Sequence, residues 1–207
     1  MSLVARHRLD KVARMFYGEA NIEDLWTSFF CISCNLSTGR EKVHQQGQLW
    51  KAIRATTALP GVFAPFVEDQ HLLVDGGLLD NLPYTTMQDL DAGVMILVDI
   101  SSSETLTVAF PYEEMPTSWQ VARSWLNPFA PTLKVPTLPD MLMRTVTVSS
   151  LGKQQQARDA ADLMLRPPVD DFGMLESTAM DALIECGYAY TKERLATWPG
   201  RNLWHKG

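Results

Sequence analysis

Apolar residues recur at helical spacing from His7 to Tyr17, where Leu9, Val12, Ala13, Met15 and Phe16 stand among arginine and lysine. The pattern predicts an amphipathic opening helix that ends near Gly18. Ser28 to Leu36 is rich in Phe, Cys and Ile, and Ser37-Thr38-Gly39 separates it from Arg40 to His44, so the two runs read as a hairpin-like pair of strands. Gln48 to Ala58 returns to helical spacing and stops at Pro60-Gly61. His71 to Val74 is a short apolar strand that runs directly into Asp75-Gly76-Gly77, where glycine permits close backbone approaches. Pro83, preceded by Asn81, suits the first turn of a helix reaching Leu90. Gly93 then sets off the apolar run Val94 to Val98, predicted to be a strand buried on both faces.

Beyond Ser101-Ser102-Ser103, proline-rich patches up to Pro139 mark loops and short helices. Asp140 to Ala161 is a long helix candidate, and Leu163-Met164-Leu165 is a short strand closed by Pro167-Pro168. Glu176 to Ala196 reads as a final helix, with Trp198-Pro199-Gly200 as its stop signal. No internal repeat is visible, and the alternation of short buried strands with helices predicts an α/β fold.

At 207 residues, 46% of them hydrophobic and 20% charged, the chain is long enough for one ordinary domain or two small ones. Eighteen Lys and Arg against 24 Asp and Glu leave a net charge of −6, a field that repels a phosphate backbone, so no nucleic-acid partner is expected. The longest uninterrupted apolar stretch is Val94 to Val98, far short of the roughly 18 residues of a spanning helix. The N-terminus lacks the apolar centre of a secretory signal, and three cysteines fit a reducing compartment. The expected location is cytoplasmic, or peripheral at a membrane.

Asp75 is the leading candidate for chemistry. A carboxylate at the C-terminal end of a strand, followed by two glycines, sits where open α/β sheets place their active sites and can deprotonate a nearby hydroxyl or water. The competing reading is a turn aspartate that bonds its own backbone. Cys31-Ile-Ser-Cys34 has the spacing of zinc or redox sites, yet a strand sends positions three apart to opposite faces, which favours buried structural thiols. His7, His44, His71 and His205 are scattered; they form no legible Ser/His/Asp constellation and read as surface or core histidines. A metal site built from Asp75, Asp80 and Asp99 would need carboxylates that converge, which spacing does not guarantee, so no metal is assigned. Trp119, Ala122, Trp125, Leu126 and Phe129 fall at helical intervals, as a membrane-facing lid or as a face packed on the core.

From Leu49 onward the chain reads Leu-Trp-Lys-Ala-Ile-Arg54-Ala-Thr-Thr-Ala-Leu-Pro60-Gly-Val-Phe-Ala-Pro65, then Leu73-Val-Asp75-Gly-Gly77, then Asp80-Asn-Leu-Pro83. This ordered set resembles the second half of patatin-like phospholipase domains. Later stretches, Ser118-Trp119, Leu126-Asn-Pro128, Val135-Pro136 and Leu165-Arg-Pro-Pro168, look like the C-terminal region of the neuropathy target esterase branch. The resemblance implies a three-layer α/β sandwich with a central, mostly parallel sheet and flanking helices, here incomplete. Residues 1–22 would be an N-terminal helix with a start that suits an expression remnant, 23–168 the C-terminal part of the hydrolase domain, and 169–207 a final helix and tail.

The resemblance also implies a serine lipid acyl hydrolase, cofactor-free, in which a Ser on a Gly-x-Ser-x-Gly elbow attacks the ester and Asp75 activates it without a histidine. Gly76 and Gly77 would shape the loop presenting Asp75, and Asn81 and Pro83 would fix the next helix start. No serine of this sequence lies in Gly-x-Ser-x-Gly. The expectation is therefore that the nucleophile half is absent from this chain, that the chain alone is inactive, and that it self-associates or needs that half to act on a lipid or lysophospholipid. The alternative is a non-catalytic α/β module that binds lipid or a partner.

Overall fold

Two short turns set the topology. In the computed structural model, which describes residues 6–90, 93–101, 138–172 and 176–200, β1 (Cys31–Asn35) and β2 (Arg40–His44) form the predicted antiparallel hairpin, with Cys31 opposite His44 and Asn35 opposite Arg40. A second hairpin joins β3 (Phe66–Glu68) to β4 (His71–Asp75) through Asp69 and Gln70, both at positive φ, the backbone of a tight two-residue turn. β4 also pairs antiparallel with β1, which gives a four-stranded sheet in the order β2-β1-β4-β3.

The α/β class agrees with the sequence reading, with one refinement to the sheet. Among the described residues parallel pairing is confined to β5 (Ile96–Val98) and β6 (Leu163–Leu165), whereas the four-stranded sheet is antiparallel throughout. Tight turns account for the two hairpins, since they can only reverse the chain, whereas β1 and β4 pair antiparallel across a long connection and β5 and β6 pair parallel across another that contains a helix. The run Val94 to Val98 is not buried on both faces as expected. Met95 is buried, but Ile96 and Leu97 are half-buried and Val98 is exposed, because β5 pairs in a two-stranded sheet that leaves it an edge.

Helices lie against both faces of the larger sheet. Residues directly opposite share a face, so Cys31, Ser33, His44, Leu73, Asp75 and Phe66 point one way and Ile32, Cys34, Glu41 and Val74 the other. The first face carries α1 (Arg6–Tyr17) and α2 (Leu49–Thr56): Ala13, Trp50, Ala55, Phe66 and Leu73 form one buried cluster, and Ile22, Leu49 and Ala52 pack with Cys31 in another. Buried Arg54 ties the two helices to the segment after Pro60, through its Nε to Asp10 at 3.2 Å and its guanidinium to the Ala64 carbonyl at 2.5 Å. Arg14 stacks over the Trp50 ring at 4.1 Å. On the other face, Lys153 of α4 (Leu138–Ala160) reaches Glu41 of β2.

The short α3 (Tyr84–Asp89) begins at Pro83 as expected, and α5 (Met180–Thr197) follows a single 3-10 turn at Ser177–Ala179. No helix among the described residues is long and apolar enough to cross a membrane. The proline-rich patches and the Trp119 to Phe129 face lie outside the described residues.

Candidate active site

Asp75 closes β4 and starts a 3-10 turn, Gly76–Leu78, that leads away from the sheet. Its backbone N–H donates to the Ala58 carbonyl at 3.1 Å, which fixes the strand end to the turn after α2. The Gly77 N–H donates to Asp75 Oδ1 at 2.8 Å. The two readings of this aspartate thus fall on different oxygens: Oδ1 serves the turn, and Oδ2 has no protein partner among the described residues. Burial pushes the carboxyl above its ordinary range, and the Gly77 bond only partly opposes that. A half-buried carboxylate with raised proton affinity and a free oxygen is equipped to act as a base.

The two glycines differ in what they contribute. A Cβ on Gly76 would stand 2.2 Å from the Ile32 carbonyl oxygen, so only glycine lets the turn lie against β1. That carbonyl also accepts the Thr56 hydroxyl at 2.5 Å, which ties α2, β1 and the turn to one atom. Gly77 contributes its N–H and has the Asn81 side chain beside it.

Asn81 and Pro83 were expected to fix the start of α3. Pro83 does occupy the cap position, but no side chain caps this helix, and the Asn81 amide faces back toward Gly77. The carboxylate that orders this stretch is Asp80, which sequence reasoning passed over except as a metal ligand. Buried, it accepts from the Leu82 N–H at 3.1 Å and from Lys153 Nζ at 3.3 Å. Lys153 pairs with Glu41 as well. Burial alone would lower the Lys153 ammonium, but the two carboxylates outweigh it and hold it above its usual range.

The other candidates resolve into structural roles. Cys31 and Cys34 lie on opposite faces of β1 and are free thiols, and burial pushes Cys31 up to about 12, where it is an inert thiol. Asp75, Asp80 and Asp99 do not converge: Asp99 is fully buried and accepts from Ser101 and, at 3.1 Å, from Arg158. Burial would raise Asp99, yet those bonds together bring it below its ordinary range. His71 is at the far end of β4 from Asp75. The reading of His44 as a core histidine holds, but its partner was missed: Ser33 Oγ lies 2.8 Å from its Nε2, and both are buried. The register of the hairpin was the signal, since a four-residue turn at 36–39 sets Cys31 against His44 and so brings His44 diagonally beside Ser33.

Residues 4–87, which include α1, the whole four-stranded sheet, Asp75 and the turn after it, match the family model of patatin-like phospholipases. The chain carries a patatin-like phospholipase segment. Its patatin-like segment thus contains the site just described. Over 196 residues, 94% of the chain, it is 33% identical to Lysophospholipase nte1 of Emericella nidulans. It is also 33% identical over 195 residues to the protein of that name from Aspergillus oryzae, and 31% identical over 195 residues to Lysophospholipase NTE1 of Coccidioides immitis. The chain spans 13% of the length of the first two relatives and 12% of the third.

Proposed function

We propose that this patatin-like chain supplies the base of a serine acyl hydrolase acting on lysophospholipids or related carboxylic esters, with Asp75 taking the proton of a serine nucleophile. The observation that carries the reading is the oxygen of half-buried Asp75 that has no partner among the described residues, presented on a turn whose close approach to β1 requires glycine at position 76. In this scheme the serine hydroxyl attacks the ester carbonyl and its proton passes to Asp75 Oδ2. Collapse of the tetrahedral intermediate releases the alcohol, which takes that proton, and leaves an acyl-enzyme. Water activated by the same carboxylate then frees the fatty acid. The lysophospholipase names of the relatives support the substrate class.

No serine here lies in Gly-x-Ser-x-Gly, so the nucleophile of this scheme comes from polypeptide other than residues 1–207. The chain alone is expected to give no turnover of a nitrophenyl acyl ester and no labelling by a fluorophosphonate probe. A longer product of the same gene that includes a Gly-x-Ser-x-Gly segment is expected to do both. Stoichiometric labelling of a serine within residues 1–207 would contradict the assignment, and an inert longer product would favour a non-catalytic lipid- or partner-binding module.

A further inference from the structure

Ser33 is wholly buried in the middle of β1, and the only hydrogen bond of its side chain among the described residues is the 2.8 Å contact with His44 Nε2. A polar pair on the helix-covered face of a sheet is an expensive arrangement, since two apolar side chains of similar volume would be at least as stable there. Its position gives a reason for it. Ser33 stands directly opposite Asp75 in the β1–β4 register, and side chains so placed have Cβ atoms about 5 Å apart.

The Ser33 hydroxyl has one proton and two acceptors within its surroundings, the imidazole on the β2 side and the carboxylate on the β4 side. It bonds the imidazole, and Asp75 accepts only from Gly77 among the described residues. With Ser33 as the donor, Nε2 accepts and the ring proton sits on Nδ1. The surroundings favour this neutral ring: burial first, and then Lys42, disfavour the imidazolium, against an opposing pull from Glu68. Of the charges on α2, Arg54 is turned to Asp10 and Ala64 and Lys51 to the Trp50 ring, while Lys153 of α4 pairs with Glu41 and Asp80.

We propose that His44 is a positioning residue: by holding the Ser33 hydroxyl, it keeps that donor off the Asp75 carboxylate and leaves the carboxylate free to accept the proton of the nucleophile. A donor on a carboxylate favours its charged form and makes it a weaker base. The inference rests on the reading of Asp75 as base, yet the contact it describes is present whether or not turnover occurs.

Its test therefore uses titration rather than activity: the side-chain carboxyl carbon of Asp75 is followed by NMR against pH in the 207-residue chain. In His44→Phe the released hydroxyl turns to Asp75, and the midpoint is expected to fall by about one pH unit. Ser33→Ala, which removes a single atom, is expected to titrate with wild type, and the double variant to return to wild type. His44→Gln, whose amide oxygen can still accept from Ser33, is expected to keep the wild-type midpoint. An unshifted His44→Phe, or a double variant as low as His44→Phe, would overturn the proposal. Should His44→Phe not fold, Ser33→Ala decides alone: a raised Asp75 midpoint would mean that the hydroxyl already donates to the carboxylate. None of these outcomes depends on the ester-hydrolysis reading, which labelling and turnover test separately.

Discussion

Gly76 illustrates how much of the site depends on a missing side chain. The turn that presents Asp75 lies so close to β1 that any Cβ at this position meets the Ile32 carbonyl, a backbone atom that Thr56 also holds in place. Gly76→Ala is expected to destabilise the chain by about 2 kcal/mol in urea denaturation, as overpacking against an unyielding neighbour does. A loss below about 0.5 kcal/mol would mean that the turn moves freely, in which case Asp75 is not rigidly presented. At this scale the sequence was partly legible. Asp75 and its glycines stand out because a carboxylate followed by two glycines closes an apolar strand, although a turn aspartate gives the same pattern. Ser33 and His44 did not stand out, because their contact depends on which residues a hairpin pairs, and neighbours along the chain carry no mark of it.

The elements are joined at Lys153. It is the cation through which α4 meets both β2, at Glu41, and the stretch after the Asp75 turn, at Asp80. Asp80 is buried, so loss of its cation leaves a charge with the Leu82 N–H as its one remaining partner among the described residues. Lys153→Met is expected to cost about 1–2 kcal/mol, less than for a fully enclosed pair because the Lys153 side chain is 43% exposed and water takes up part of the loss. Adding Asp80→Asn to that variant should recover part of the stability in the same urea measurement. A double variant weaker than the sum of its singles would contradict the pairing. Helix and strand positions were readable from periodicity, as α1, the first hairpin and α4 bear out. The sheet directions were not, since β1–β4 and β5–β6 both join strands distant in the chain and yet pair in opposite senses, and the resemblance pointed to a mostly parallel sheet.

For the whole molecule, the distribution of apolar surface matters most. Met15 and Phe16 on α1, Trp26 beyond it, Ile100 after β5 and Ile184 on α5 are all more than half exposed. Trp26 is fully so. Together with the open edges of β2 and β3, this much uncovered apolar surface favours association. The chain by itself is expected to form dimers or larger species in light scattering at high micromolar concentration. A monodisperse monomer there would show that these surfaces are tolerated in water.

The central claim is that Asp75 is the base, and it is tested most directly by Asp75→Asn in a product of this gene long enough to carry the nucleophile. The amide keeps the Gly77 contact through its carbonyl oxygen but cannot take a proton, so the fold is retained while the proton transfer is lost. The account predicts that kcat for ester hydrolysis falls by about 10²–10⁴-fold with KM little changed and the melting curve preserved. A folded Asp75→Asn protein that hydrolyses the ester within a few-fold of the unsubstituted rate would contradict it.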